Sequence, residues 1–267
     1  MKRLLIRILP ARLFLFLRGH GWYGNFDNWG DAKKLTTGFE TDDVLLKVKE
    51  SLLKVKSGTA VYERDSVLFD KIEYSWELLS ALMWIAAQNR GTLNVIDFGG
   101  SLGSTYYQNK AFLDTIPQVF WNIVEQPHFV ETGKKEFEND SLKFYFSIEE
   151  CVSQNMPEVQ CILFGSVLPY MEKPYELLSD IFKKKFTYII VARTFFTKNK
   201  PDRITIQKVP KSYYDASYPC WIFNESKFID FFHRAGYEVV YDFKEKYQIN
   251  IPSDHKGFLF KLKNDYY

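Results

Sequence analysis

The chain has 267 residues, a formal net charge of +2 and 25% charged residues, so it lacks the strongly basic balance that is typical of nucleic-acid binders. Its length allows one sizeable hydrophobic core. Aromatic residues make up 18% of the chain and supply large side chains for that core, together with rings that stack on flat or sugar ligands. No nucleic-acid partner is expected.

The cysteines and histidines show no metal-binding or redox motif. Cys151, Cys161 and Cys220 form no C-x-x-C pair, and the four histidines lack the spacing of metal ligands. Cys161 lies in an apolar run, where a thiol behaves as a small hydrophobic group. We therefore predict free thiols in a reducing, cytoplasmic compartment and no metal site.

The first segment, residues 1–18, is apolar and basic. Leu4 to Leu17 is rich in Leu, Ile and Phe but contains Arg7, Pro10 and Arg12, so it is too short and too charged for a transmembrane helix of about 20 apolar residues. No small-residue cleavage site follows, and a signal peptide is not predicted. Two alternatives remain: this segment contacts an anionic membrane surface peripherally, or it forms a helix that packs on the domain.

Residues 1–90 are predicted to form a helical extension ahead of the main domain. Residues 19–38 are rich in Gly, Trp and Asn, which predicts a turn-rich loop. Apolar residues recur every three or four positions over 44–55 and from Ser75 to Gly91, which predicts two helices. The charged residues 63–65 between them either form a solvated turn or reach into a cleft.

The stretch from Asn94 to Gly103 predicts a ligand-binding turn. A short apolar run ends in an acid, and three glycines crowd the next turn before polar helix-forming residues, as in a strand, a phosphate- or nucleoside-binding turn and a helix. A ligand can lie against the backbone only where no Cβ intrudes and where a positive φ costs little. The turn therefore predicts a cofactor site, whose candidate contacts are Asp97, Gly99, Gly100, Ser101 and Gly103.

The spacing of the glycines separates two classes of cofactor. The dinucleotide pattern G-x-G-x-x-G is broken, because Phe98 or Ser101 occupies a glycine position in either register. Asp97, Gly99 and Gly103 meet the pattern acid-x-Gly-x-x-x-Gly, which is similar to the first motif of class I S-adenosylmethionine-dependent methyltransferases. The turn thus favours S-adenosylmethionine over a dinucleotide.

A second acid supports a nucleoside cofactor. The apolar run Phe120–Val124 ends at Glu125, and an acid at the tip of the second strand can accept hydrogen bonds from both ribose hydroxyls of NAD or S-adenosylmethionine. Such bonds to a charged group contribute about 1.5–3 kcal/mol each. We therefore predict that Glu125 binds the ribose.

Strand and helix patterns alternate from residue 91 onward, which predicts a doubly wound, parallel α/β sheet of Rossmann-like type over 91–267. Residues 195–222 interrupt the alternation with three prolines and several aromatic residues. They are predicted to form a substrate-contacting insertion, or alternatively a structural flap with its own small core. The last two strands, 238–243 and 257–263, predict an antiparallel hairpin at the sheet edge, as in class I methyltransferases.

Over nearly its whole length the chain resembles a family of class I methyltransferases found with bacterial surface-polysaccharide (capsule and O-antigen) biosynthesis. The matching segments are YERDSVLF at 62–69, DFGGSLGS at 97–104, WNIVEQP at 121–127, FYFSI at 144–148, SVLPY at 166–170, RT at 193–194 and SYPCW at 217–221. One departure is in the fifth strand, where the resemblance implies Asp-Arg-Thr and this chain has Ala192 before Arg193. If the family uses that aspartate as a general base, this chain lacks it.

The resemblance implies a seven-stranded class I methyltransferase sheet and S-adenosylmethionine as cofactor. It also implies a small-molecule or glycan acceptor that is modified in the cytoplasm or at the inner membrane surface. Besides the glycine turn, the implied cofactor contacts are Glu125, Gln126, Ser147, Ile148, Gly165 and Ser166. The candidates for catalysis are Asp65, His128, Tyr170 and Arg193, with Glu63 and Asp215 as further bases and Arg64 as a second cation for a phosphate or carboxylate.

Two other functions stay open on the sequence alone. A NAD-dependent nucleotide-sugar oxidoreductase or epimerase shares the glycines and the acid, and Tyr106 and Lys110 have the spacing of the Tyr-x-x-x-Lys pair of short-chain dehydrogenases. That pair, however, lies in the first predicted helix after the turn rather than far downstream. A catalytically inactive S-adenosylmethionine-binding scaffold is the other alternative, because of Ala192. The methylated atom and the oligomeric state are left open.

Overall fold

A computed structural model describes residues 19–38, 42–64, 66–154, 158–198, 200–210 and 216–263. Within these ranges, ten strands form one mixed sheet and two short strands form a separate hairpin. Eight α-helices and one 3₁₀ helix, Leu168–Tyr170, complete the described part of the chain.

The strands in chain order are β1 (Gly21–Phe26), β2 (Tyr62–Arg64), β3 (Val67–Phe69), β4 (Thr92–Phe98), β5 (Gln118–Val124), β6 (Leu142–Tyr145), β7 (Cys161–Gly165), β8 (Tyr188–Thr197), β9 (Arg203–Lys208), β10 (Ser217–Asn224), β11 (Tyr237–Lys244) and β12 (Asp254–Leu262). The helices are α1 (Trp29–Lys33), α2 (Asp42–Lys56), α3 (Trp76–Gln88), α4 (Ser104–Leu113), α5 (Pro127–Glu136), α6 (Ile148–Gln154), α7 (Pro174–Lys183) and α8 (Glu225–Arg234).

Seven of the strands have the order β6-β5-β4-β7-β8-β12-β11. The first five of these pair in parallel, whereas β12 pairs antiparallel with both β8 and β11. This is the strand order of class I methyltransferases, and it confirms the predicted doubly wound sheet with an antiparallel C-terminal hairpin. The central strands β4 and β7 are buried almost throughout, because helices cover both faces of the sheet.

Two hydrophobic clusters lie on opposite faces of this sheet, and alternate residues of β4 belong to different clusters. Val95 joins one cluster with Leu82 of α3, and Ile96 joins the other with Leu178 of α7 and Phe232 of α8. Burying one such side chain contributes about 1.5–3 kcal/mol. The helices therefore hold the sheet from both sides, and the carboxyl ends of the parallel strands meet at one edge.

Three further strands extend the sheet near the end of β8. β10 pairs in parallel with β8 through Phe223 and Asn224. β9 pairs antiparallel with β10, and β1 pairs antiparallel with β9. Residues 19–38 therefore contain a strand and the short helix α1, and the prediction of a turn-rich loop is wrong there. Gly21 and Gly24 have positive φ values of 131° and 82°, and glycines of this kind break the alternating pattern by which a strand is recognised.

The inserted segment 195–222 consists mainly of strands. It contains the end of β8, all of β9 and most of β10, and Tyr218 packs with Val209 and Ala216 in a small separate cluster. Tyr170, from outside the segment, also packs against this cluster, and both the substrate-contacting insertion and the structural flap stay predictions. The predicted boundary at residue 91 stays a prediction, although β1 joins the N-terminal extension to the main sheet.

Strands β2 and β3 form a hairpin that is fastened to the start of α4. Ser104 Oγ donates a hydrogen bond to Glu63 Oε1, and the main-chain N–H of Ser66 donates to Glu63 Oε2 at 3.2 Å. Glu63 is 2% exposed, so the hairpin buries this acid at the N-terminus of a helix, where the helix dipole stabilises it. Asp65, the predicted base in the same turn, lies outside the described residues.

The loop between β11 and β12 is held against β1. Asn250 accepts a hydrogen bond from the Trp22 N–H at 2.8 Å and donates its side-chain amide to the Trp22 carbonyl at 2.7 Å. The Trp22 ring packs edge-on against Phe195 and Tyr247. These contacts hold the loop between β11 and β12 against β1, near the carboxyl end of β8.

None of the helices in the described ranges combines the length and the apolar character that crossing a membrane requires. The predicted membrane contact falls on residues 1–18, which lie outside those ranges. Cys151, Cys161 and Cys220 are buried and form no disulfide within the described residues. Burial raises the pKa of Cys151 and of Cys220 to about 12, which keeps both groups as unreactive thiols.

Candidate cofactor and acceptor site

The carboxyl ends of β4 to β8 carry many of the predicted site residues, and the glycine turn follows β4. The turn has φ values of +70° at Gly99 and +103° at Gly103. A Cβ at Gly99 would lie 2.6 Å from Val167 Cγ2, and one at Gly100 would lie 2.6 Å from the Asp97 carboxylate. Glycine is therefore required at these positions by the backbone conformation and by close packing.

Asp97 is the acid at the end of the apolar run in β4, and only 1% of its surface is exposed. Trp121 Nε1 donates a hydrogen bond to its carboxylate at 3.2 Å. Burial raises the pKa of Asp97 to about 7, against the opposing effects of the nearby Arg193 guanidinium and of the Trp121 bond. The carboxyl group that packs against Gly100 therefore changes its charge close to neutral pH.

Glu125 directly follows β5, and its carboxylate lies against the glycine turn. It accepts hydrogen bonds from the main-chain N–H of Gln126 at 2.6 Å and from that of Ser101. Burial raises the pKa of Glu125, and these two bonds and the nearby His128 oppose the shift. A carboxylate offers about four lone-pair sites, so hydroxyl donors can bind in addition to the two N–H groups.

The predicted adenine contacts lie at the start of α6. Ser147 Oγ accepts a hydrogen bond from the Glu150 N–H at 3.0 Å and thereby caps the helix, while Ile148 is buried. Phe146, just ahead of them, is 47% exposed, and Lys134 Nζ lies 4.6 Å from its ring centroid. The structure gives Ser147 a capping role, and its contact with adenine stays a prediction.

Gly165 and Ser166 end β7 next to Arg193 of β8. The Ser166 N–H donates to the Ala192 carbonyl at 3.0 Å, and Arg193 Nη2 donates to the Gly165 carbonyl at 3.5 Å. Ala192 is fully buried, so the position where the resemblance implies an aspartate belongs to the core. Ser166 and Arg193 are left-handed, with φ values of 69° and 53°, a conformation that is rare outside glycine and concentrates at functional sites.

Two ionisable residues that were not predicted complete this edge, namely Glu245 after β11 and His255 in β12. Glu245 Oε2 lies 4.0 Å from His255 Nδ1. Burial raises the pKa of Glu245 and lowers that of His255 to about 4, and hydrogen bonds with the Arg193 main chain oppose both shifts. The His255 ring is therefore neutral at physiological pH. No local motif marks these residues, because they meet only through the pairing of β11 with β12.

Tyr170 and His128, two of the predicted catalytic residues, have other contacts. The Tyr170 hydroxyl donates to Gln207 of β9 at 2.8 Å, and its ring packs edge-on against Tyr218. His128 lies in the first turn of α5, close enough to Glu125 to lower its pKa. His128 is thus on the predicted ribose side of the site. The catalytic role of both residues stays a prediction.

Arg64, the second cation proposed for the acceptor, is at the end of β2. Its guanidinium lies 3.5 Å from the Glu73 carboxylate, and it is also close enough to His255 to lower the pKa of that ring. The structure therefore brings Arg64 near the unpredicted pair on the C-terminal hairpin. Asp65 and Asp215, the other proposed bases, lie outside the described residues.

The described ranges contain no group of three or more His, Cys, Asp or Glu side chains that could hold a metal ion. An open cleft of about 550 Å³ lies near the end of β8, with Thr197, Lys200, Arg203 and Ile251 in its wall. None of the predicted cofactor contacts lines this cleft. The candidate cofactor site is therefore defined by the strand ends and not by this cleft.

No protein-family model matches the sequence, and no curated protein matches it. Among solved structures, one similar chain is LepI in complex with SAM, with a TM-score of 0.44 and 10% identity. The match covers 64% of this chain and 43% of the LepI chain. This chain therefore spans less than half the length of LepI. Another is magnesium protoporphyrin IX methyltransferase (ChlM) from Synechocystis PCC 6803 with bound SAM, with a TM-score of 0.46, 11% identity, and coverage of 85% and 100%. A third is the N-terminal domain of EvdMO1 in the presence of SAH and D-fucose, with a TM-score of 0.48, 10% identity, and coverage of 76% and 90%.

Proposed function

We propose that this chain is an S-adenosylmethionine-dependent methyltransferase whose acceptor is a sugar or a sugar-derived molecule. The observation that carries the proposal is the hydrogen bond from the Ser101 N–H of the glycine turn to the Glu125 carboxylate. It joins the acid after β5 to the positive-φ turn after β4, in a sheet with the class I strand order. A nucleoside can lie against such a turn while its ribose hydroxyls donate to such an acid.

The residues at this edge fit S-adenosylmethionine, because the half-buried Glu125 carboxylate keeps lone-pair sites for ribose hydroxyls beside a turn built on glycines. Gly99–Gly103 would hold the methionine part, residues 147–148 the adenine edge, and residues 165–166 the methyl site. When bound, the cofactor supplies a methyl group on a sulfonium, which is already a good leaving group. The protein's part is to orient the acceptor, and orientation alone can contribute about 7–11 kcal/mol.

The acceptor class rests on the resemblance to methyltransferases of surface-polysaccharide biosynthesis, which is carried by segments such as 62–69 and 217–221. We propose that the chain modifies a small-molecule or glycan acceptor in the cytoplasm, with residues 1–18 in contact with the inner membrane surface. A basic and apolar segment of that kind binds anionic lipid surfaces.

Two contacts count against the NAD-dependent alternative. Tyr106 is 3% exposed and packs against Trp121, and Lys110 is paired with Asp114 at 2.6 Å. Both residues lie in α4, directly after the glycine turn, and these contacts give them structural roles. The inactive scaffold remains a second candidate because Ala192 is fully buried and supplies no acid.

Replacing Glu125 by alanine is expected to weaken the binding of S-adenosylhomocysteine at least tenfold, because the ribose hydroxyls lose the carboxylate that accepts from them. A tenfold change corresponds to about 1.4 kcal/mol, which is less than the about 1.5–3 kcal/mol of one hydrogen bond to a charged group. Titration calorimetry with the purified wild type and the Glu125→Ala variant measures this change.

Glu131→Ala is the matched control, because it removes an exposed carboxylate from α5, the helix that begins just after Glu125. Its affinity for S-adenosylhomocysteine is expected to equal that of the wild type. Thermal unfolding of both variants shows whether the fold is retained. If the folded Glu125→Ala variant binds as tightly as the wild type, the ribose assignment is wrong.

A further inference from the structure

Arg193, Glu245 and His255 form a buried polar cluster whose hydrogen-bonding capacity is not met within the described residues. Arg193 Nε, Glu245 Oε1 and His255 Nδ1 are buried atoms that have no hydrogen-bond partner in this part of the chain. The exposed fractions of the His255 and Glu245 side chains are 8% and 17%. A buried polar atom left unpaired costs about 1–3 kcal/mol, so three of them in one place indicate a ligand site.

The left-handed conformation of Arg193 creates this cluster. It interrupts the ladder between β8 and β12, whose register shifts at this point. The main-chain N–H of Arg193 then donates to the Glu245 carboxylate, and its carbonyl accepts from the His255 ring. The guanidinium extends to the Gly165 carbonyl at the end of β7. The cluster therefore borders the proposed methyl site.

The chemistry of the three unpartnered atoms matches a hydroxyl-bearing ligand. His255 Nδ1 has no hydrogen-bond partner in the described residues, and it is an acceptor in the neutral tautomer that carries its proton on Nε2. Glu245 Oε1 is a second acceptor, whereas Arg193 Nε is a donor. A hydroxyl group can donate to one of the acceptors and accept from Arg193, and a neighbouring hydroxyl can donate to the other acceptor. Two adjacent hydroxyls therefore carry the donors and the acceptor that complement these three atoms.

Aromatic rings stand beside the same cluster. The His255 ring lies 4.8 Å from the Phe195 ring and 5.5 Å from the Tyr247 ring, measured between centroids. Tyr247 is 54% exposed, so its ring presents an apolar surface next to the hydroxyl-binding atoms. This combination suits a ring that has an apolar face and adjacent hydroxyl groups, as a sugar has.

We infer that Arg193, Glu245 and His255 form the acceptor side of the site, where they bind a hydroxyl-bearing ring and take up the proton of the attacking hydroxyl. This inference rests on the proposed methyl transfer. The acceptor oxygen forms a bond to the methyl carbon, the electrons of the carbon–sulfur bond pass to sulfur, and the hydroxyl proton passes to His255 Nδ1. Glu245 stabilises the resulting imidazolium until the proton is released to water.

The charges around His255 keep its ring unprotonated in the free protein. Burial lowers its pKa, and the guanidinium groups of Arg193 on β8 and Arg64 on β2 lower it further. Glu245, from the loop after β11, is the carboxylate that faces the ring. An imidazole in these surroundings is unprotonated before the reaction and gains a nearby anion when it becomes charged.

Sinefungin tests the position of the cluster, because in this molecule an amine-bearing carbon replaces the sulfonium sulfur and the amino group takes the place of the transferred methyl. Its ammonium group would point from the methyl site toward Glu245, so the wild type is expected to bind sinefungin more tightly than S-adenosylhomocysteine. Glu245→Gln is expected to reduce this preference at least threefold and to leave the affinity for S-adenosylhomocysteine within twofold. Glu238→Gln, which removes an exposed carboxylate at the other end of β11, is the control and should keep the preference.

NMR spectra of the full chain with ¹⁵N-labelled histidine give a second readout that needs no turnover. The His255 signals, assigned with His255→Gln, are expected to report a neutral ring at pH 7.5 with its proton on Nε2. A protonated ring would overturn the proton-acceptor role, and an unchanged sinefungin preference in Glu245→Gln would overturn the placement of the cluster at the methyl site. If the wild type binds neither ligand, the proposed function itself fails, and this inference fails with it.

Discussion

Asparagine in place of Asp97 is expected to stabilise the protein at pH 8.5 by about 2–3 kcal/mol more than it does at pH 5. The pKa of Asp97 is about 7 in the folded chain because the carboxyl group is buried, whereas it is near 3.8 when the group is in water. The folded state therefore binds one more proton than the unfolded state between these values. The proton on Asp97 therefore contributes fully to the free energy of unfolding below the lower pKa. This contribution is lost as the pH rises through the higher pKa.

Urea unfolding of the wild type and the Asp97→Asn variant at both pH values measures this difference. Groups other than Asp97 titrate in both proteins and cancel in the comparison. The asparagine oxygen can still accept from Trp121 Nε1, so the variant keeps the hydrogen bond that the structure shows. If the stability gap between the two proteins is the same at pH 5 and at pH 8.5, Asp97 titrates as an ordinary surface carboxyl group, and its buried position at the end of β4 is wrong.

Replacing Gly257 by alanine is expected to lower the free energy of unfolding by about 2–3 kcal/mol, near the upper end for overpacking of a core. Gly257 lies opposite Phe243 in the pairing of β11 with β12, and a Cβ there would lie 2.2 Å from Phe243 Cζ. The Phe243 ring is 5% exposed and the backbone is paired, so neither can move away from the new Cβ without a loss of stability. The hairpin that carries Glu245 and His255 depends on this contact.

A double-mutant cycle with Phe243→Ala measures this clash directly. The alanine at position 257 should cost much less when the ring is absent, so the two substitutions should show a coupling free energy of at least about 1 kcal/mol. Gly30→Ala is the control, because a Cβ there would meet only Asn28 Oδ1 at 3.4 Å and alanine favours the helix. A loss below about 0.5 kcal/mol in Gly257→Ala, within the usual range for a surface change, would contradict the packing of the hairpin.

The sheet could be predicted because each of its seven core strands carries its own signal. The apolar run that ends at Asp97 and the run that ends at Glu125 are buried strands in the structure, and their order along the chain fixes a parallel sheet. The helix predicted from Ser75 is α3, which begins at Trp76. Where the local pattern and the tertiary contacts favour the same element, the sequence alone is sufficient to predict that element.

The missed elements depend on contacts between distant parts of the chain. β1 is a strand because Trp22 pairs with Gln207 of β9, and no pattern near residue 22 contains that partner. Glu245 and His255 become a pair only when β11 and β12 meet beside the left-handed Arg193. Local patterns therefore predicted the residues that we propose for the cofactor, whereas the residues that we propose for the acceptor come together only in the folded chain.

We propose that the edge formed by the glycine turn and Glu125 binds S-adenosylmethionine and not a dinucleotide. Titration calorimetry of the purified wild type with S-adenosylhomocysteine and, in parallel, with NAD tests it most directly. We predict saturable binding of S-adenosylhomocysteine and no binding of NAD. Binding of NAD without binding of S-adenosylhomocysteine would show that this edge is a dinucleotide site.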